Sequence, residues 1–302
     1  MHKKYIHGVL FLDKPSNITS NKILQKIKKI FCAKKAGYIG TLDPIATGIL
    51  PICFGKATKL SEYLVNQKKV YHVIAKLGAT TITYDAESIE LEKKDVFFTY
   101  TQLHYILKKF TGKIKQYVPI YSAVKYKGKP LHKYARENIK TPKISKSVYI
   151  YNINCIKYNY QFIELKVSCS KGTYIRTLVH EIGNLLHCGA YVTFLRRTMI
   201  SSYNVNCSVT MNQLNKLCNL YKKKELYNIF CNLLYSIKSI LFKCPKIIVD
   251  DLQILYIKEN FCFFPFIKTG IFRIIIKNDH NIFILGEINE ISQLISYKIL
   301  NF

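Results

Sequence analysis

One stretch, residues 34–51, presents a single carboxylate, Asp43, among three glycines, Gly37, Gly40 and Gly48. Pro44 bars Asp43 from helical backbone and holds it extended. The glycines permit turns and the close approach of another chain segment. Lys34, Lys35 and Lys56 flank the loop. The pattern describes a lone acid at a rigid turn, in surroundings that attract a polyanion. A carboxylate so held can serve as a nucleophile. The same residues also describe an ordinary Asp-Pro turn, and on the residues alone both readings stand.

A second feature is the arginines. Arg136, Arg176, Arg196, Arg197 and Arg273 stand alone in a chain that otherwise uses lysine as its cation. An arginine in such a background suggests a need for the planar, five-donor fork. Arg176 closes the sequence Gly172-Thr-Tyr-Ile-Arg176, where a strand is expected to turn into a helix. A guanidinium there can grip a carboxylate through two parallel hydrogen bonds, or it can simply brace the loop.

Composition narrows the partner. Formal net charge is +28, which favours nucleic acid first and an anionic membrane surface second. Abundant Lys, Ile, Asn, Tyr and Phe with no Trp is also what an AT-rich coding sequence produces, so part of this charge reads as drift. Ten cysteines form no Cys-x-x-Cys pair. No zinc or other metal site is expected, and free thiols in a reducing cytoplasm are. The residues before Gly8 include no apolar h-region, so no signal peptide is expected. The most apolar stretch, Leu226 to Phe242, is interrupted by Asn228, Asn232, Ser236 and Ser239, which predicts an amphipathic helix and not a membrane span.

The elements that would position these residues follow from periodicity. Val9–Leu12 reads as a buried strand. Ile23, Leu24, Ile27, Ile30 and Phe31 have helical spacing, with Ser20 or Asn21 as cap and the lysines outward. Lys69–Gly78 has strand composition. Leu103, Ile106, Leu107 and Phe110 predict a helix ended by Gly112. Residues 119–136 interleave Lys and Tyr, with Gly128 and Pro130 breaking regular structure. Cations there can track phosphates and aromatics can stack on bases, though a solvated loop fits as well. Val148–Asn154 and Phe162–Ser170 predict a strand pair. The helix after it should bury Ile175, Leu178, Val179, Ile182, Leu185 and Leu186, and a short helix at Met211 should be capped by Thr210. The length suggests about two domains, with a boundary at Pro245. From Lys246 onward, short alternating segments predict a small β-barrel.

The stretch Gly37-Tyr-Ile-Gly-Thr-Leu-Asp-Pro-Ile-Ala-Thr-Gly-Ile-Leu50 resembles the catalytic signature of the TruB family, the tRNA pseudouridine-55 synthases. That signature reads Gly-His-x-Gly-x-Leu-Asp-Pro-x-Ala-x-Gly-x-Leu, with His where this chain has Tyr38. Further stretches are similar to the same family: Lys69-Val-Tyr71 with Leu77-Gly78, Tyr121-Ser-Ala-Val-Lys125 through Ala135-Arg136, Gly172-Thr-Tyr-Ile-Arg176 and Leu195-Arg-Arg197. Thr81-Ile-Thr-Tyr-Asp85 is similar to Thr-Asp-Thr-x-Asp, with Ile82 replacing an acid. That replacement weakens any role for this loop.

The resemblance implies an α+β fold: a mixed, mainly antiparallel sheet flanked by helices. It further implies a catalytic domain over 1–245 with an RNA-gripping insertion at 117–147. A divergent PUA-like RNA-binding domain over 246–302 would complete the chain. The implied activity is conversion of uridine to pseudouridine at position 55 in the T-arm of tRNA, by a monomer without cofactor or metal. Asp43 would be the nucleophile. Tyr71 would stack on the uracil and relay the C5 proton, and Arg176 would pair with Asp43 and hold it ionised. Tyr174 and Leu195 would line the base pocket, and Tyr38 would pack against RNA. Two alternatives share these motifs: a guide-RNA-dependent synthase of the box H/ACA type, and a non-catalytic tRNA-folding chaperone.

Overall fold

A computed structural model describes residues 4–242, 244–258, 264, 267, 269–277 and 279–301. The chain opens with β1 (Gly8–Lys14), apolar on both faces and buried on both. Helix α1 (Ser20–Ile30) buries Ile23, Leu24 and Ile27 and keeps its lysines outward, as its spacing predicts. Its cap is Thr19, not Ser20 or Asn21. The Ser20 hydroxyl is committed elsewhere, accepting from Leu42 N–H and donating to Leu42 C=O, both at 2.9 Å.

Strands β2 (Ala36–Tyr38) and β3 (Thr47–Phe54) bracket the Asp43 loop. Then come α2 (Ser61–Asn66), β4 (Lys69–Leu77), β5 (Ala79–Thr81) and β6 (Glu90–Lys93). Helix α3 (Tyr100–Lys109) has a Thr99–Gln102 capping box, and Gly112 opens the following strand β7 (Gly112–Tyr117). The Lys- and Tyr-rich stretch is more ordered than its Gly and Pro content predicts. It forms a hairpin of β8 (Lys125–Tyr126) and β9 (Lys129–Pro130), then helix α4 (Leu131–Arg136). Lys127 and Gly128 both have positive φ, +46° and +80°, which is the backbone of a tight hairpin turn.

The predicted strand pair is β10 (Ser145–Asn159) and β11 (Phe162–Cys169). Helix α5 (Ile175–Leu185) buries Ile175, Leu178, Val179, Ile182 and Gly183, while Leu185 is exposed, against expectation. The buried stripe runs through Gly183 because α5 lies so close to β12 (Ala190–Ile200) that a Cβ on Gly183 would sit 2.2 Å from Ala190 N. Strands β13 (Tyr203–Asn204) and β14 (Val209–Thr210) precede α6 (Met211–Leu220), which Thr210 caps as predicted.

The amphipathic helix expected over 225–242 is two helices, α7 (Lys223–Asn232) and α8 (Ile237–Leu241). The break comes where Tyr235 exchanges two backbone hydrogen bonds of 2.9 Å with Val9. Ser236, read as part of a polar stripe, is the N-cap of α8.

Ten strands form one sheet, in the order β14-β1-β3-β12-β4-β11-β10-β7, with β2 added to β3 and β13 to β12. Only β1–β14 and β3–β12 pair in parallel, so the expected mixed, mainly antiparallel sheet is observed. Helices α1, α3 and α5 cover one face, with Leu10, Leu50, Val73, Val167 and Val179 in one core. The opposite face of β1 and β3 packs Phe11 and Ile49 against α8 and the C-terminal region through Leu285 and Leu300.

That region comprises β15 (Lys246–Val249), α9 (Asp251–Lys258), β16 (Gly270–Ile276), β17 (Asp279–Ile288) and β18 (Leu294–Asn301). Its strands run β15-β16-β17-β18 in an open sheet, with β15 and β18 as edges. Among the described residues there is no closed barrel. Alternation identified the strands, but four are too few to close on themselves without a further element. No helix among the described residues is long and apolar enough to cross a membrane.

Candidate active site

The loop that presents Asp43 is clamped along its length. Arg197 Nη2 donates to Gly40 C=O at 2.9 Å, and Ser20 holds both polar backbone groups of Leu42. Pro44 C=O accepts from Asn17 N–H at 2.9 Å and from Lys14 Nζ at 3.2 Å. Lys14 is fully buried and also donates to Pro15 and Ile18 carbonyls. Burial lowers its pKa to about 8. Gly48, at φ +101°, is required at the loop's exit, since a Cβ there would meet Arg197 O at 2.2 Å.

Arg176, in the first turn of α5, brings two carboxylates together. Its Nη2 donates to Asp43 Oδ1 at 3.1 Å, and its Nε lies 2.9 Å from Asp43 Oδ2, off the hydrogen-bond direction. Its Nη1 donates to Asp85 Oδ2 at 2.9 Å and to Thr83 C=O at 3.0 Å. Nη2 also donates to Tyr121 C=O at 3.0 Å, which ties the Lys- and Tyr-rich segment to the same guanidinium. Asp85 is fully buried, and its Oδ1 accepts from Thr83 Oγ1 at 2.6 Å and Glu87 N–H at 3.1 Å. The sequence discounted the Asp85 loop because of Ile82. Ile82, however, is half exposed, and the loop is held by the hydroxyls of Thr81 and Thr83.

Asp43 is half-buried at a cavity of about 340 Å³ that is also lined by Tyr71, Tyr174, Arg176, Leu195 and Lys69. Burial pushes its carboxyl above the ordinary range and the nearby Asp85 adds to this, while Arg176 opposes both. Arg176 therefore acts in the expected direction but does not outweigh desolvation. Tyr71, on β4, is buried at the cavity wall, and burial raises its phenol pKa against the influence of Arg197. Tyr174 is held in the turn before α5 by Gln116, which accepts from its N–H at 2.8 Å and donates to its C=O at 3.0 Å. Burial raises the Tyr174 pKa too. Tyr38 is different. It pairs with Ile52 in β2, packs against the main core and is not among the cavity's lining residues.

Residues the sequence did not single out complete the site. Lys14 lies two residues past the predicted Val9–Leu12 strand, where no role is expected. Lys69 lines the cavity, with Nζ donating to Val65 and Gln67 carbonyls, and burial lowers its pKa to about 8. Lys69 opens the Lys69-Val-Tyr71 stretch, but neither there nor at Lys14 does the residue type itself announce burial.

The cavity lies at the small end of the about 300–1,000 Å³ span of ligand pockets. Its walls combine apolar, aromatic and charged side chains, Leu195, Tyr71 and Arg176 among them. Residues 28–175 match the TruB family pseudouridylate synthase N-terminal domain, and residues 176–241 match the tRNA pseudouridylate synthase B C-terminal domain. The tRNA pseudouridine synthase B of Buchnera aphidicola subsp. Acyrthosiphon pisum is 44% identical over 306 residues, covering 99% of this chain and 98% of that one. The protein of the same name from Serratia proteamaculans is 46% identical over 221 residues, covering 73% and 70%. In structure, a chain of a Cbf5–Nop10–Gar1 complex matches with a TM-score of 0.72 at 23% identity, over 99% of this chain and 86% of that one, a likeness of fold. Two family matches running head to tail across the site, and a full-length relative at this identity, place the protein: the chain belongs to the TruB family of pseudouridylate synthases.

Proposed function

We propose that this pseudouridine synthase isomerises uridine to pseudouridine at position 55 in the T-arm of tRNA, with Asp43 as its nucleophile. The observation that carries the reading is the clamped Asp43 carboxylate, oriented by Arg176 at a nucleotide-sized cavity with Tyr71 and Leu195 on its walls. The tRNA substrate is supported by the relatives named above. In the reaction the C1′–N1 bond breaks, the uracil rotates, and C1′ bonds to C5. The proton on C5 leaves and N1, freed from the sugar, gains one, so the product is an isomer and no redox partner is required. The Asp43 carboxylate bonds transiently to the nucleotide and is released as the new bond closes. Tyr71 stacks on the base and relays the C5 proton, Arg176 orients the nucleophile, and Tyr174 and Leu195 enclose the uracil.

In this reading residues 1–245 form the catalytic domain, and the insertion at 117–147 grips the T-arm with its lysines and tyrosines. Residues 246–302 form a divergent PUA-like domain that adds RNA contacts. Tyr38 packs against the RNA outside the base pocket, and the protein acts as a monomer in the cytoplasm. Extruding the base costs a few kcal/mol, which phosphate contacts offset. Modification of a tRNA transcript, without added guide RNA, tests the reading. Pseudouridine should form at position 55 and disappear when that uridine is replaced by cytidine. Product elsewhere in the transcript, or only with a guide RNA, would contradict it.

A further inference from the structure

The loop that carries Asp85 touches α5 at a second point. The rings of Tyr84 and His180 stack face to face, centroids 3.9 Å apart and planes inclined by 16°. Tyr84 immediately precedes Asp85, and His180 follows Arg176 by four residues, so it lies on the same face of the helix. The stack and the Arg176–Asp85 ion pair therefore join the same two elements side by side. The ion pair and the bond to Thr83 C=O both leave from Nη1 of one guanidinium, so together they still let the loop pivot about that point. A second contact one helical turn away removes that pivot.

The stack is built in spite of local strain. Tyr84 has φ +61°, a left-handed backbone that bulky residues rarely adopt. Backbone bonds secure it there: Tyr84 N–H donates to Thr81 C=O at 3.2 Å, and Tyr84 C=O accepts from Val192 N–H at 3.0 Å. On the other side, His180 Nδ1 is buried without a hydrogen-bond partner, and Nε2 lies 3.1 Å from the Asn184 amide. The Asn184 Nδ2 amide donates to Nε2, which must then carry a lone pair, so the ring is neutral with its proton on the buried Nδ1. Burial lowers the His180 pKa in the same sense. A histidine desolvated in this way offers the flat face of its ring. Neither ring lines the cavity at Asp43, so both act through their neighbours.

We propose that Tyr84 and His180 are positioning residues, whose stack holds the Asp85 loop in register with α5 so that Arg176 presents its guanidinium to Asp43. The proposal rests on the reading of Arg176 as the partner of a catalytic Asp43. It is tested by single-turnover pseudouridine formation at saturating enzyme, with tRNA affinity and melting temperature measured alongside. Tyr84→Asn removes the ring but tolerates the left-handed backbone, and Tyr84→Phe keeps the ring. The Asn variant should be about 10-fold slower, short of the ~100-fold that a 1 Å misplacement can cost, with unchanged tRNA affinity. The Phe variant should match wild type. In an Asp85→Asn background, Tyr84→Asn should cost less than it does alone, because the ion pair it reinforces is already gone. Full rate for Tyr84→Asn, no rescue by Phe, or a loss that multiplies in full on Asp85→Asn would overturn the proposal. An Asp43→Asn protein run in parallel reports on the nucleophile separately. Product from it would overturn that assignment, while the Tyr84 comparison, made with Asp43 intact, still decides the stack.

Discussion

Asp85 is sealed from solvent and takes Nη1 of Arg176 at 2.9 Å, so the guanidinium that faces Asp43 is anchored from behind by a second carboxylate. The two acids differ in what surrounds them. Asp85 has its hydrogen bonds made within its own loop, whereas Asp43 opens onto the cavity. One arginine thus has a structural and a reactive partner.

Removing the structural partner should cost both stability and rate. Breaking a buried ion pair typically destabilises by about 3–5 kcal/mol, and Asp85→Asn belongs at or below the low end because Asp43 still pairs with Arg176. Chemical denaturation measures the first effect. Single-turnover kinetics should show a slower reaction with tRNA binding retained.

Arg176→Lys separates charge from geometry. Lysine supplies the cation without a fork that can reach Asp43, Asp85 and the Tyr121 carbonyl together. The variant should bind tRNA and react about 100-fold more slowly, the scale of a misaligned reactant. Arg176→Met should be slower still, since it also removes the charge that opposes desolvation of Asp43. Rates at saturating enzyme for the three proteins check the order.

The upward shift of Asp43 has a consequence for stability. Its folded pKa lies above the ordinary value of 3.8, so the fold favours the protonated carboxyl. The stability this contributes is fully present below about 3.8 and is lost as pH rises through the folded pKa. Asp43→Asn should therefore melt no lower than wild type at neutral pH, and any advantage should vanish in acid. Melting temperatures of both proteins across pH 3–8 provide the check. The acid limb of the wild-type rate profile should also lie above the usual carboxylate range.

Ser20 offers a test of loop rigidity remote from the chemistry. Its hydroxyl satisfies both N–H and C=O of Leu42 inside the core. Ser20→Ala leaves those groups unpaired, at a cost of about 1–3 kcal/mol. The loop should loosen, seen as faster amide exchange at Leu42 and a reduced single-turnover rate.

How much of this was legible in the sequence depends on the residue. Asp43, Tyr71, Tyr174, Arg176 and Leu195 stand in recognisable stretches, and the structure gathers all five around one cavity. Tyr38 sits in an equally recognisable stretch but lies off that cavity, because the short β2–β3 pairing directs it to the core. Asp85 was undervalued because Ile82 replaces an acid. Only the fold reveals that position 82 faces solvent while two threonine hydroxyls organise the loop. The division of the 225–242 stretch depends on Tyr235 meeting Val9, a pairing with no local signal. In the C-terminal region alternation marks strands, but whether they close is a property of strand number and edges, and here the edges stay open.

The central claim is that Asp43 performs the chemistry. Tritium release from tRNA labelled at uracil C5 tests it most directly, because the label leaves only when the isomerisation proceeds. Wild type should release the label, and Asp43→Asn should bind the same tRNA with comparable affinity and release none. Release by the Asn protein at the wild-type rate would contradict the account.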